Sequence, residues 1–304
     1  MAISAKEVQA LREKTGVGMM ECKKALVATE GDMDKAIEYL RERGLAASAK
    51  KGGRIAAEGS TYATVIDGVG VVVEVNAESD FVGKNEKFVD FVKGVANVVA
   101  KENPADLDAL LAAPYGDGRT VTEQTQELVL VIGENIKVRR FARFAENTSV
   151  AYVHAGGKIS VLVNLATDLP AEKVDVIGKD VAMQIAAMNP RFWDKSLVDE
   201  ATLESEKKIM LVQMDNDPKM ANKPEKVKEG IVQGKMRKFY ELNCLLQQAF
   251  VKDDSMSVEQ YIASAAKAAG GKVTFVNAVR FETGEGIEKR QENFAEEIAK
   301  QLGK

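Results

Sequence analysis

The sequence has little of the chemistry that most enzymes need. His154 is the only histidine in 304 residues, so a metal site built from several histidines cannot form. No Gly-Lys pair is followed by the serine or threonine of a phosphate-binding P-loop, and no Gly-X-Gly-X-X-Gly pattern follows a predicted strand. A hydrolase that uses His154 with a serine is an alternative, but the Gly-X-Ser-X-Gly motif is missing. We therefore expect a protein with no cofactor, no metal and no covalent chemistry of its own, which acts by contact with another molecule.

Long apolar runs, cysteine and excess positive charge are scarce as well. No apolar run approaches the roughly 18 residues of a membrane-spanning helix, and the charged residues 1–14 lack the apolar centre of a secretory signal. The two cysteines, Cys22 and Cys244, lie far apart, which favours a reduced cytoplasmic setting and two small buried thiols. With 42 Lys and Arg against 46 Asp and Glu, the net charge of −4 argues against direct binding to nucleic acid. We expect no membrane partner either.

The first part of the chain has helical periodicity. Residues 4–44 predict three short helices, because two glycine-containing breaks interrupt the apolar spacing. Ser4 has the spacing of a capping box, and Gly44 is expected to end the third helix. A polar linker, Lys-Lys-Gly-Gly-Arg, follows at residues 50–54. We therefore predict a small helical module with its linker over residues 1–54.

Beyond the linker the period changes from helical to strand-like. Strand-like runs at residues 62–66 and 69–76, the second of them rich in valine, flank Asp67-Gly68, a strong signal for a two-residue hairpin turn. Apolar residues then recur at helical spacing from Phe88 to Val99. The pattern predicts a hairpin of two strands followed by an amphipathic helix.

The same pattern occurs again 88 residues later. Asn164 repeats Asn76 in this register, and Thr167-Asp168-Leu169 falls on Ser79-Asp80-Phe81. Such an internal repeat indicates a core of two similar halves that arose by duplication. The expected halves are residues 55–145 and 146–280.

Residues 197–246 interrupt the second half with two charged helical runs. Their few apolar residues form thin stripes, which predicts a projecting helical hairpin that is suited to binding another chain, including a second copy in a homodimer. A surface hairpin packed on its own domain is the alternative. The apolar residues of the stripes are Ile209, Val212, Val227, Ile231 and Phe239.

A last strand and a last helix complete the chain. The strand is predicted at residues 272–281 and the helix at 287–302, and residues 281–304 are expected to form a C-terminal helical module. Each half pairs sequential antiparallel strands with helices that cover one face. The predicted fold class is therefore α+β.

Five blocks of the sequence together resemble the bacterial elongation factor Ts family. They follow one another in the family's order and span nearly the whole chain. The blocks are residues 11–26, 79–88, 132–136, Tyr152 with His154, and 280–289. This chain departs from the family pattern at Ser79 (usually Thr), Gly83 (usually Ala), Ala155 (usually Gly) and Ala249 (usually Pro).

The resemblance implies both a fold and a function. It implies a small ubiquitin-associated-type helical module, a core of two similar halves, a helical hairpin inserted in the second half, and a C-terminal helical module. It also implies a cytoplasmic guanine-nucleotide exchange factor for the translational GTPase elongation factor Tu. A ubiquitin-associated-type adaptor or holdase that does not catalyse exchange is the alternative.

The segment Ser79-Asp80-Phe81-Val82 has two opposed interpretations. From the residues alone, Ser79 caps the following helix and Phe81 is buried in its first turn. The resemblance implies instead that Asp80 and Phe81 project into the GTPase, where the aromatic ring disturbs the magnesium and phosphate contacts.

Further contacts with the GTPase are implied by the resemblance alone, and they lie outside this segment. For Met19 and Met20 the alternative is that one of the two belongs to the helix core. The residues assigned to these contacts are Met19, Met20, Lys23, Ile132, Gly133 and His154.

Overall fold

The computed structural model describes residues 3–116, 118–220 and 223–288. Helices and small antiparallel sheets build these parts of the chain, which confirms the predicted α+β class. Most of the predicted last helix, 287–302, and of the C-terminal module, 281–304, lies outside the described residues. Within the described ranges no helix is both long and apolar enough to span a membrane.

Three helices form the first part of the described chain. Ser4 and Glu7 make the predicted capping box at the start of the first helix, and the glycine-containing breaks separate the helices. The helices bury a small apolar core of their own that includes Leu11, Cys22 and Leu26. Their bounds are Ala5–Thr15 (α1), Met19–Ala28 (α2) and Met33–Lys51 (α3).

The third helix is longer than predicted. Gly44 does not end it; the helix runs on to Lys51, so it includes the first two residues of the predicted linker. Gly44 is buried, and a Cβ atom added there would lie 3.3 Å from the carbonyl oxygen of Gln126 on a helix of the first half. The glycine thus allows close helix packing, a role that its helix-ending preference concealed.

The first half of the core is a three-stranded sheet covered by helices. Asp67 and Gly68 both have positive φ, +50° and +82°, as the predicted two-residue turn requires. The antiparallel sheet has the order β1-β2-β5, and α4 packs on it. The elements are β1 (Glu58–Ile66), β2 (Val69–Ala77), α4 (Glu86–Glu102), α5 (Leu107–Ala112), β3 (Pro114–Gly116), β4 (Arg119–Thr120), α6 (Val121–Ile132) and β5 (Lys137–Phe144).

The second half has the same sequence of sheet elements, with two helices added after its first helix. Its antiparallel sheet has the order β6-β7-β10, and α7 packs on it as α4 packs on the first sheet. The elements are β6 (Thr148–His154), β7 (Ile159–Thr167), α7 (Ala171–Met188), α8 (Glu200–Asp215), α9 (Glu225–Asn243), β8 (Ala249–Phe250), β9 (Asp253–Ser257), α10 (Val258–Ala269) and β10 (Val273–Glu282).

Equivalent side chains support the duplication. The Asn76 amide donates to the Glu58 carbonyl oxygen at 3.1 Å, and the Asn164 amide donates to the Glu146 carbonyl oxygen at 2.7 Å. Both partners are 88 residues apart, as the repeat predicts. The repeat also extends beyond the hairpin and helix seen in the sequence, because α6 and α10 both begin with a capping box and end at a glycine with positive φ.

The inserted hairpin has a different interior from the one predicted. Ile209, Val212 and Val227 are exposed, whereas Ile231 is half-buried and Phe239 is buried. The predicted range 197–246 also ends too late, since Leu245 packs into the core of the second half. The side chains that pack between α8 and α9 are Leu203, Met210, Met214, Val232, Met236 and Phe239.

A buried carboxylate joins the two halves. Glu74 on β2 is fully buried and accepts hydrogen bonds from Arg139 (3.0 Å), from Arg140 (2.5 Å) and from the Gly284 N–H (2.8 Å). Burial alone would raise the pKa of the Glu74 carboxyl, but the hydrogen bonds from Gly284, Asn76 and Arg140 outweigh it and hold the pKa below its ordinary value. Glu74 thereby fixes the end of β10 against the first sheet.

Candidate functional site

The segment that connects β2 to α4 does not have the structure that the residues alone suggest. Ser79 does not cap the helix. Asn85 does, since its side-chain oxygen accepts the N–H of Lys87 at 3.0 Å and the N–H of Phe88 at 3.4 Å. The helix therefore begins at Glu86, and Phe81 lies five residues before it rather than in its first turn.

Phe81 is the most exposed large apolar side chain of the described residues, at 81%. Asp80 beside it is exposed as well, whereas Val82 is buried in the core of the first half. An aromatic side chain of this size is usually buried, so its exposure beside a buried valine indicates a contact surface. The interpretation of Phe81 as a core residue is wrong.

Glu134 holds the start of this segment. Its carboxylate accepts the Ser79 N–H at 2.9 Å and the Ser79 hydroxyl at 2.6 Å. In the opposite direction, the Glu78 carboxylate accepts the N–H of Asn135 at 2.6 Å. The Asn135 amide also donates to the carbonyl oxygen of Arg54 at 2.7 Å. These bonds, which we call the Glu134 clamp (Glu78, Ser79, Glu134 and Asn135), join the segment to the turn after α6.

The other end of the segment lies against the first strand. Val82, Gly83 and Lys84 form one turn of 3₁₀ helix. A Cβ atom on Gly83 would lie 2.7 Å from the Gly59 carbonyl oxygen. The glycine here permits a close approach between two backbones, and it does not adopt a positive φ.

The proposed contact residues of the helical module lie on one exposed face of α2. Met19 and Met20 are 41% and 65% exposed, and Lys23 is exposed beside them. The suggestion that one of the two methionines is a core residue is therefore wrong. The loop before α2 touches the start of α4, where the Lys87 ammonium donates to the Gly16 carbonyl oxygen at 3.3 Å. This contact joins the loop before α2 to the helix that follows the segment of Phe81.

Ile132 and Gly133 lie at the end of α6. Ile132 is half-buried against the core of the first half, so part of its side chain has a structural role. Gly133 is exposed and has a φ of +88°, which a glycine adopts without steric cost. Because Glu134 follows directly, this turn and Ser79 are in contact.

His154 is the last residue of β6, directly before the turn to β7. It is exposed, and its Nδ1 atom is 2.9 Å from the hydroxyl of Tyr152. The turn packs on the start of β1, since the Gly157 carbonyl oxygen accepts both the N–H (2.7 Å) and the hydroxyl (2.8 Å) of Thr61. Two segments therefore pack against the start of β1. The turn after His154 contacts it at Thr61, and Gly83 contacts it at Gly59.

The equivalent segment of the second half has the opposite structure. Leu169, in the position of Phe81, is half-buried against the second core. Thr167 and Asp168 do not cap α7. The Thr167 hydroxyl donates to the Lys272 carbonyl oxygen at 2.8 Å, and the Asp168 carboxylate accepts the Lys272 N–H at 2.6 Å. Pro170 directly precedes α7.

Neither cysteine has the environment of a reactive thiol. Burial raises the pKa of the Cys22 thiol, and it raises the pKa of Cys244 to about 11. In the described parts of the chain, His, Cys, Asp and Glu side chains form no group of three or more that could hold a metal ion. The exposed surface around Phe81 is therefore the candidate functional site.

Three residues of this site were missed in the sequence: Glu78, Glu134 and Asn135. Glu134 and Asn135 stand inside the block 132–136, but no role was assigned to them. Comparing the two halves beyond their first helices would have drawn attention to them, because Gly133 and Gly270 end equivalent helices.

Comparison with known proteins agrees with these features. The protein-family model described as Elongation factor TS matches residues 78–285, which is more than half of the chain. Elongation factor Ts of Clostridium botulinum (strain Eklund 17B / Type B) is 46% identical over 306 residues, covering 99% of this chain and 100% of the relative. Elongation factor Ts of Clostridium perfringens (strain SM101 / Type A) is 47% identical with the same coverage. That of Clostridium novyi (strain NT) is 43% identical, covering 99% of each chain.

Proposed function

Because this chain belongs to the elongation factor Ts family, we propose that it is a guanine-nucleotide exchange factor that binds elongation factor Tu and promotes release of GDP. Membership of the family makes it a translation elongation factor. The proposed partner states are the GDP-bound and the nucleotide-free GTPase, and the proposed compartment is the cytoplasm. The chain acts without covalent chemistry of its own.

The exposed Phe81 is the observation that carries this proposal. The ring is 81% exposed, and the residues on either side of the Asp80-Phe81 pair, Ser79 and Val82, are fixed by a hydrogen bond and by core packing. The ring is therefore positioned to enter a partner. Burial of one phenylalanine yields about 1.5–3 kcal/mol, and a ring with few rotamers loses little entropy when it is buried. Asp80, exposed beside it, supplies a carboxylate at the edge of the same contact.

The remaining contact residues support the proposal by their position. Met19, Met20 and Lys23 form an exposed face of α2, and the loop before α2 contacts the start of α4. Gly133 directly precedes Glu134, which is bonded to the segment of Phe81. Gly83 and the turn that follows His154 both pack against the start of β1, at Gly59 and Thr61 respectively. A partner that covered these places would bury a contact surface drawn from both halves and the helical module.

Release of labelled GDP from elongation factor Tu tests the proposal. The chain, added at a tenth of the GTPase concentration, should accelerate release of all the labelled nucleotide, because an exchange factor turns over. The chain alone should retain no labelled GDP on a filter. Binding to elongation factor Tu without faster release would reject the exchange function in favour of a non-exchanging adaptor or holdase.

We propose that the inserted hairpin joins two copies of the chain. Ile209, Val212 and Val227 point away from the α8–α9 interior and are 47%, 51% and 44% exposed. Such an apolar surface on a projecting hairpin is suited to another helix. Light scattering tests this proposal. The wild-type chain should have the mass of a dimer, and Val212→Lys should have the mass of a monomer. A wild-type chain with the mass of a monomer would reject the proposal.

A further inference from the structure

The Glu134 clamp holds the segment at Ser79, the residue before the exposed pair Asp80-Phe81. Both oxygens of the Glu134 carboxylate are used, one by the Ser79 N–H and the other by its hydroxyl. Hydrogen bonds to an ionised acceptor are shorter and stronger than those to a neutral one. On the other side of the pair, Val82 is 5% exposed and packs in the first core. Asp80 and Phe81 therefore span a short gap between two fixed points.

We propose that Glu134 is a positioning residue, whose carboxylate keeps the segment in the form that projects Phe81 from the surface. This inference rests on the proposed exchange function. It adds that the activity depends on a side chain of the first half that lies outside the projecting segment and holds it through Ser79.

The second half shows what the same backbone does without this carboxylate. Gly133 and Gly270 both end their helices with positive φ, so the residue that follows, Glu134 or Gly271, occupies the equivalent place. A Cβ atom on Gly271 would lie 2.6 Å from the Leu169 side chain. A glycine there leaves the space into which Leu169 turns. The equivalent residue of the first half is Glu134, whose side chain binds Ser79.

The carboxylates that bind the turn after the helix lie two positions apart in the register of the two halves. In the first half, the N–H two residues after the helix-ending glycine, that of Asn135, binds the carboxylate of Glu78. In the second half, the corresponding N–H of Lys272 binds Asp168, the equivalent of Asp80. The last residue bonded to that turn is Ser79 in the first half and Asp168, one position later in the register, in the second. Asp80 and Phe81 therefore lie beyond the last bond to the turn.

Deuterium exchange of the chain alone tests the clamp without any partner. In Glu134→Ala the peptide that covers residues 78–85 should exchange at least fivefold faster, because the Ser79 N–H loses its acceptor. Glu134→Gly, which copies the second half, should do the same. Glu123→Ala is the matched control. Glu123, at the other end of α6, also accepts a backbone N–H and a hydroxyl, both from Thr120.

Exchange kinetics then connect the clamp to Phe81. Glu134→Ala should slow GDP release at least fivefold, with Glu123→Ala within twofold of wild type and all melting temperatures close to it. In a Phe81→Ala background, adding Glu134→Ala should slow release by less than twofold, since the residue then has nothing left to position.

Three results separate the possibilities. Unchanged deuterium exchange in Glu134→Ala would overturn the proposal directly. A loss of activity that is equally large in the Phe81→Ala background would overturn it too, because Glu134 would then act by its own contact. A wild-type chain that did not accelerate GDP release from elongation factor Tu would reject the proposed function. The deuterium measurement would still decide whether Glu134 holds the segment.

Discussion

Truncation of Phe81 separates the stability of the fold from the proposed activity. Only about a fifth of this side chain is covered in the free protein, since it is 81% exposed. At most about 0.5 kcal/mol of its burial energy is therefore at stake in Phe81→Ala. For a chain of this size that corresponds to a shift of about 2 °C or less in melting temperature.

The loss in the complex should be much larger. If the GTPase covers the exposed part of the ring, about 1.5–2.5 kcal/mol of the burial energy of a phenylalanine is lost in Phe81→Ala. The same amount taken from the activated complex slows GDP release by about tenfold to seventyfold. The assay is release of labelled GDP from elongation factor Tu at catalytic concentrations of the chain, with thermal unfolding measured on the same samples.

The duplication provides the matched control for this experiment. Leu169 is the equivalent residue but is half-buried in the second core. Leu169→Ala should destabilise the fold by about 2 kcal/mol, at the low end of the range for core truncations, because the side chain is partly exposed. The melting temperature should fall by about 4–8 °C, while exchange per folded molecule stays near wild type.

One pattern would refute this reasoning. A Phe81→Ala variant that melts many degrees lower, yet exchanges normally in its folded fraction, would mean that Phe81 supports the fold. The side chain would then contribute to stability and not to exchange.

Two further predictions concern stability. Because the pKa of Glu74 in the folded protein lies below its ordinary value of 4.5, the carboxylate stabilises the fold above that pH, and this contribution is lost as the pH falls through the folded-state pKa. Glu74→Gln should therefore unfold at lower urea concentration at pH 7 and show a weaker dependence on pH below 4.5; an unchanged acid profile would contradict the role of the buried carboxylate. Ala155, where the family usually has glycine, has a φ of +49°, so Ala155→Gly should stabilise the fold by about 0.5–1 kcal/mol in urea unfolding, and a loss of stability would show that the alanine is not strained.

The sequence predicted those parts of the fold in which local signals agree with packing. The turn at Asp67-Gly68, the capping box at Ser4 and the helix from Phe88 onward all appear in the structure, because turn chemistry and apolar period are local properties. Gly44 misled the prediction since a glycine can end a helix or allow a close approach, and only the position of Gln126 decides between them.

The candidate site could be located from the sequence but not explained by it. The apolar residues of the hairpin were found, yet which of them face inward depends on how α8 and α9 are rotated against each other. Likewise, the position of Phe81 depends on a carboxylate 53 residues further along the chain, that of Glu134. Hydrogen bonds between distant segments leave no periodic pattern in a sequence, so the exposed state of Phe81 followed only from the family resemblance.

The size of the proposed effect requires more than Phe81. To weaken GDP binding about ten-thousandfold, the chain must distinguish the two states of the GTPase by roughly 5.5 kcal/mol, and GDP must weaken binding of the chain by the same factor. One phenylalanine supplies at most about 3 kcal/mol. The remainder has to come from other elements, among them the exposed α2 face. Met20, on that face, and Phe81 lie on different elements, so the losses from Met20→Ala and Phe81→Ala should add in the double variant, measured as free energies from GDP release. A double variant no slower than Phe81→Ala alone would mean that α2 contributes nothing to the state in which GDP leaves.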